Sequence, residues 1–105
     1  MTTQSMQIAE TILAQLGGNR FVAMTGAKGF CATGDGLSFK LPSATRADGK
    51  RVNHVRVTLN GSDLYDVSFY YLTTKALAVV SDSRDVYAED LQETFTAGTG
   101  LYTRL

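Results

Sequence analysis

Residues 54–72, "HVRVTLNGSDLYDVSFYYL", alternate between apolar and polar side chains on either side of a polar centre, and no other stretch constrains the fold as tightly. Successive side chains of a strand point to opposite sides of its sheet, so a period of two marks strands with one face buried and one in water. Val55, Val57 and Leu59 share one face of the first half, with His54, Arg56 and Thr58 opposite. Tyr65, Val67, Phe69 and Tyr71 share a face of the second half, opposed by Asp66, Ser68 and Tyr70. The Asn60-Gly61 pair suggests a two-residue type I′ turn. That turn would set Val55 against Asp66 and carry Asp66 and Ser68 onto the core face, because a one-residue slip inverts every side chain. An odd-length connection of three or five residues keeps both apolar sets together, with Gly61 at a bulge position.

The flanking segments supply the cover for that apolar face. Met6, Ala9, Ile12, Leu13 and Leu16 recur at helical spacing, with Gln7, Glu10, Thr11 and Gln15 off the stripe. Thr3 or Ser5 is placed to cap this helix, and Gly17-Gly18 to end it. "RFVAMT", "KGFCAT" and "GLSFKLP" are short runs broken by glycine turns, and we expect strands there. In the third, Leu37, Phe39 and Leu41 share a face, and Pro42 ends the ladder because it lacks an N–H. "SATRADGKR", residues 43–51, has no apolar period and is expected to be a polar loop or wide hairpin, the most mobile part of the chain. "ALAVVS", 76–81, reads as a buried strand paired with 64–72. "DVYAEDLQETFTAGTG" reads as a helix with Ala88, Leu91 and Phe95 on one stripe and acids in its first turns. Gly98 or Gly100 would close it, and Leu101 and Tyr102 would dock the tail. The expected fold is α+β: an N-terminal helix, an antiparallel meander of five to six strands and a C-terminal helix, with both helices on one sheet face. Residues 1–105 form a single domain in this reading. The other face, bearing His54, Arg56, Asp66, Ser68 and Tyr70, is then open to water.

Charge and rare residues narrow the functional classes. Ten basic side chains balance ten acidic ones, which removes the general phosphate attraction of a strongly basic chain while leaving room for a local patch. With one histidine and one cysteine, an internal disulfide is impossible and a zinc site lacks ligands, so neither metal nor cofactor is expected. No apolar run approaches the ~20 residues that span a bilayer. The N-terminus lacks the basic region and unbroken apolar core of a signal peptide. The expectation is a cytoplasmic chain with no membrane partner.

Two local concentrations of charge stand out. Lys40, Arg46, Lys50, Arg51 and Arg56 face only Asp48 between positions 40 and 56. With Tyr70 they make a candidate nucleic-acid surface, cations serving phosphates and a ring serving an unpaired base. Asp82, Asp85, Glu89, Asp90 and Glu93, against Arg84, read mainly as acids favouring a helix start. His54, Ser68 and Asp66 are the residue types of a hydrolytic triad, but nothing marks a nucleophile elbow, and Asp66 is equally placed to pair with Arg56 or His54 across the strands. "TGAKGF" and "TGDG" match no phosphate-loop pattern and read as hairpin turns. Cys31, beside Phe30, reads as a small core residue.

"AETILAQLGGNRFVAMTGAKGF", "LSFKLP", "NHVRVTLNGSDLYDVSFYYL" and "VYAEDLQETFTAGTGLYTRL" together resemble an uncharacterised family of small hypothetical proteins of tailed bacteriophages, prophages and plasmids. The resemblance runs from about residue 8 to the end and varies most over 43–51. It implies a bacterial cytoplasm and an accessory role in a mobile element, and it assigns no residue a function. The first functional expectation is therefore a non-catalytic accessory protein that binds a host or phage macromolecule, protein rather than nucleic acid. The alternative is nucleic-acid binding through Lys40, Arg46, Lys50, Arg51, Arg56 and Tyr70. A third reading is a small hydrolase centred on His54. A homodimer formed by extending an edge strand is compatible with all three.

Overall fold

A computed structural model describes residues 4–42, 46–47, 50–99 and 101. Helices α1 (Gln4–Leu16) and α2 (Gly18–Thr25) come first. Strands β1 (Lys28–Ala32) and β2 (Gly36–Lys40) follow, then a two-residue ribbon of β3 (Arg46–Ala47) and β4 (Lys50–Arg51). Next are β5 (His54–Leu59), β6 (Tyr65–Leu72) and β7 (Leu77–Val86). A 3-10 turn, Ala88–Asp90, leads into α3 (Leu91–Thr99). The main sheet is an antiparallel meander in the order β1-β2-β5-β6-β7, with the ribbon outside it. This is the expected α+β architecture. α1 packs on β1 and β2, and α3 on β6 and β7.

The β5–β6 register is the one the alternation demanded. Leu59 pairs with Tyr65, Val57 with Val67 and Val55 with Phe69, leaving a five-residue connection. The Asn60 side chain holds it. Its Oδ1 accepts from the Ser62 and Leu64 N–H groups at 2.8 and 3.3 Å. Its Nδ2 donates to Asp66 at 3.1 Å and Asp85 at 2.8 Å. Gly61 is not the bulge residue: the left-handed residue of the loop is Asp63, at φ 60°.

Three expectations are corrected. "RFVAMT" is not a strand but most of α2, because Phe21 and Thr25, one turn apart, are both buried and their side a helix can place together. Thr25 Oγ1 donates to the Phe21 carbonyl at 2.8 Å, and Gly26, left-handed at φ 72°, donates its N–H to Val22 as a C-cap. "TGAKGF" is therefore a helix stop, whereas "TGDG" is the β1–β2 turn, closed by Thr33 N–H on Gly36 O at 3.1 Å. Second, β7 is not a short buried strand. It runs to Val86 at the sheet edge, and Leu77 and Val79 are 54% and 64% exposed. Two register shifts interrupt its pairing with β6, and Asp85 takes φ 56° there. Asp82 and Asp85 thus belong to a strand, and the helical acids are Glu89, Asp90 and Glu93. Third, Cys31 is exposed rather than in the core, since Phe30 takes the inward position against Phe39.

The core joins all layers through aromatic rings. Phe21 of α2 meets Phe39 of β2 at 5.5 Å and Phe95 of α3 at 5.1 Å, both edge-on, the geometry that suits the ring quadrupoles. Ile12, Leu16, Val55, Val57, Val67, Phe69 and Leu91 complete it. On the α3 stripe Leu91 and Phe95 are buried and Thr99 continues them, while Ala88 is exposed. Leu101 packs partly against the core; Tyr102 and Gly100 lie outside the described residues, as do 43–45 and 48–49 of the loop expected to be mobile.

Gly98 does not end α3. It sits inside the helix because a Cβ there would overlap the Phe69 ring. Gly98→Ala should lower stability by about 1–3 kcal/mol through overpacking, measured as a lower urea midpoint with unchanged slope. Asn60→Ala should cost about 1–2 kcal/mol, the range for losing hydrogen bonds to charged and backbone partners. An unaltered midpoint in that variant would contradict the role given to Asn60.

Candidate functional site: the open sheet face

With α1 and α3 on one side of the sheet, alternation directs His54, Arg56, Asp66, Ser68 and Tyr70 to the other. Arg56 is exposed and the remaining four are partly exposed. Residues directly opposite in a ladder share a face, so the register groups this surface into rows across the strands. One row is Lys28, Lys40, His54, Tyr70 and Val79. The next is Cys31, Ser38, Arg56, Ser68 and Asp82. A third, nearer the five-residue turn, is Gly36, Thr58 and Asp66. Gly36 has no room for a Cβ, which would run into the Val57 carbonyl and lie 2.9 Å from Thr58 Cα.

Charge is unevenly placed on this face. Lys28 and Lys40 stand at one end, both exposed, lining a depression of about 290 Å³ with Leu41, Pro42, Asn53 and Leu72. Asn53 anchors that end by doubling as a ladder rung: its Nδ2 donates to Leu72 O at 2.8 Å, and its Oδ1 accepts from Leu72 N–H at 2.7 Å. Asp66 and Asp85 stand at the other end, and Asp82 closes the row that holds Arg56, where Arg56, Asp66, Tyr70 and Asp82 line one depression. Asp66 accepts from Asn60 and from the Asp85 N–H, at 3.2 Å, and these donors hold its carboxyl below the usual range. It pairs with neither Arg56 nor His54. Asp82 meets Arg84 at 3.8 Å, the one ion pair among the described residues.

The basic stretch expected to act together is divided. Lys40, Arg56 and Tyr70 lie on the open face, but Arg51 lies on the helix side, donating to the Tyr71 hydroxyl at 3.1 Å with its guanidinium 5.9 Å from that ring. The chain leaves the sheet after Leu41 and rejoins it at Asn53, and the intervening ribbon runs beside α3. Arg46 and Lys50 belong to this ribbon, and their side chains lie outside the described residues. Lys28 is the open-face cation that sequence reading missed. Its signal was the short "TGDG" hairpin, which brings "KGFCA" alongside "GLSFK".

The triad types do not converge. His54 is opposite Tyr70, while Asp66 is opposite Thr58, four residues along β5 or about 13 Å at strand rise. The His54 Nδ1 is buried without a hydrogen-bond partner, and the ring lies 6.1 Å from Tyr70. Among the described residues no three His, Cys, Asp or Glu side chains gather as a metal site would require, and no helix is long and apolar enough to cross a membrane. No family model, curated protein or solved structure matches the chain.

His54 reports the potential of this face. Burial, then Arg56, then Lys40 push its pKa below 6.5. The unfolded chain therefore takes up this proton first as pH falls, so the His54 contribution to stability is full above pH 6.5 and declines as pH drops through the window below it. An NMR titration should place His54 below 6.5, and Arg56→Gln or Lys40→Gln should each raise it. A value at or above 6.5 would contradict the geometry.

Proposed function

We propose that the protein is a non-catalytic binding module whose working surface is the open sheet face, where it meets a host or phage macromolecule. The observation that carries this reading is the concentration of exposed apolar surface on a sheet face that no second layer covers among the described residues. Leu72, Leu77 and Val79 are 41%, 54% and 64% exposed. Leu72 pairs with Leu77 and Tyr70 with Val79, so they form one corner beside the Tyr70 ring. Isolated exposed apolar residues are ordinary, but a contiguous group rimmed by charge is the usual mark of an interaction surface. The face is a shallow expanse: its polar half, from Arg56 and Tyr70 to Asp82 and Arg84, forms a depression of about 280 Å³. Such a shape suits a macromolecule. The resemblance to phage proteins supplies the accessory context.

A second copy added to the β7 edge is less favoured, because two bulges and the charges of Asp82, Arg84 and Asp85 spoil that edge as a template.

The test is affinity capture from bacterial cells with the immobilised chain, a Tyr70→Ala/Val79→Ser variant and an Arg20→Ala variant on α2. Ligands retained by the wild type and by Arg20→Ala, and lost from the sheet variant with its melting curve intact, are the expected result. Retention that ignores the sheet substitutions and fails with Arg20→Ala would move the working surface to the helices.

A further inference from the structure

The first row of the open face identifies the chemistry of the partner. Resting on the open-face reading, we infer that this surface binds an unpaired nucleic-acid strand, with phosphates on Lys28, Lys40 and Arg56 and a base stacked on Tyr70.

The row Lys28–Lys40–His54–Tyr70–Val79 crosses all five strands and contains no carboxylate. At a strand spacing of ~4.8 Å it is about 19 Å long, enough for a short run of extended nucleotides. Lys28, Lys40 and Arg56 make no ion pair among the described residues, so their charge is available to an anion. The acids of the same face bond elsewhere, Asp66 and Asp85 with Asn60 and Asp82 with Arg84, and among the described residues none pairs with Lys28, Lys40 or Arg56. Lys28 and Lys40 form the carboxylate-free end of the face, and Asp66 and Asp82, which share a depression with Arg56 and Tyr70, bound the strand's track on the other side.

Gly29 contributes to that track. It is left-handed at φ 66°, and a Cβ there would be in ordinary contact with Lys40 Cδ at 3.5 Å, so the Lys40 stem lies against β1 at this point. Beside these cations, the partly exposed Tyr70 and the exposed Leu72 and Val79 offer a ring and adjoining apolar surface. Bases present their faces only when unpaired, and stacking on aromatic side chains tolerates any sequence. In a duplex the base faces are stacked away inside the helix, so the Tyr70 ring would have none to stack on. The chain's zero net charge leaves the contact to these few groups, so affinity is modest and salt-sensitive.

The experiment is fluorescence anisotropy of the full chain with labelled oligo-dT and oligo-U of about ten nucleotides, a length within single-strand site sizes. A duplex of the same length is run beside them, each across a salt series. Binding to the single strands should weaken with salt at a log–log slope of about −2, from three phosphates at ~0.7 each. Lys28→Ala/Lys40→Ala should flatten the slope to about −0.7. Tyr70→Ala should weaken binding about tenfold without changing the slope, and Tyr70→Phe should restore it. Arg20→Ala should have no effect. No oligonucleotide binding at low salt, or preference for the duplex, overturns this assignment and leaves the open face to a protein partner judged by the capture experiment. Binding that survives the sheet variants and is lost in Arg20→Ala overturns both the assignment and the open-face reading.

Discussion

The side chain of Asn60 occupies the point on which the two faces of the sheet depend. It closes the connection between β5 and β6 by accepting two backbone N–H groups, and it ties the start of β6 to the far end of β7 by donating to Asp66 and Asp85. That sets Leu59 against Tyr65, and from there every rung follows. Slipped by one residue, β6 would place Ser68 and Tyr70 under the helices and expose Val67 and Phe69. Packing then reinforces the choice, because Phe69 fills the space against Gly98 and the Phe21–Phe39–Phe95 rings join both helical ends of the chain to the sheet. The open face is what remains when the core set has been placed.

The two-faced hairpin was legible because period two needs no tertiary information. Arithmetic on the turn length was enough to reject the short Asn-Gly hairpin. The same reasoning failed on "RFVAMT", where six residues carry too little periodicity and β-branched and aromatic types favour the wrong element. Its helical state is fixed by Phe21 reaching Phe39 and Phe95 at once, a contact that no local propensity encodes. β7 was misjudged for a related reason. Its bulges break the alternation after Val80, so "SDSRD" loses the strand signature while keeping the acids of a helix start.

The candidate surface shows the same division between local and long-range information. Positions 40–56 look like one basic cluster along the chain, yet the excursion between Leu41 and Asn53 carries Arg51 to the helix side and leaves Lys40 and Arg56 behind. Lys28, distant in sequence, becomes the neighbour of Lys40 through the β1–β2 ladder. A chain with no net charge can therefore present one end of one face as cationic, with Lys28 and Lys40 set apart from Asp66 and Asp82. The lowered proton affinity of His54 is a consequence of the same placement, since burial and two nearby cations act together on it.

The account depends on one sheet face being uncovered in solution, and paramagnetic relaxation by a soluble gadolinium chelate tests that most directly by NMR. Side-chain signals of Arg56, Ser68, Tyr70 and Val79 should broaden strongly, while those of Val57, Val67 and Phe69 stay sharp. Equal protection of both sets would mean that the open face is covered, by another part of the chain or by a second copy, and would remove the surface on which the functional reading stands.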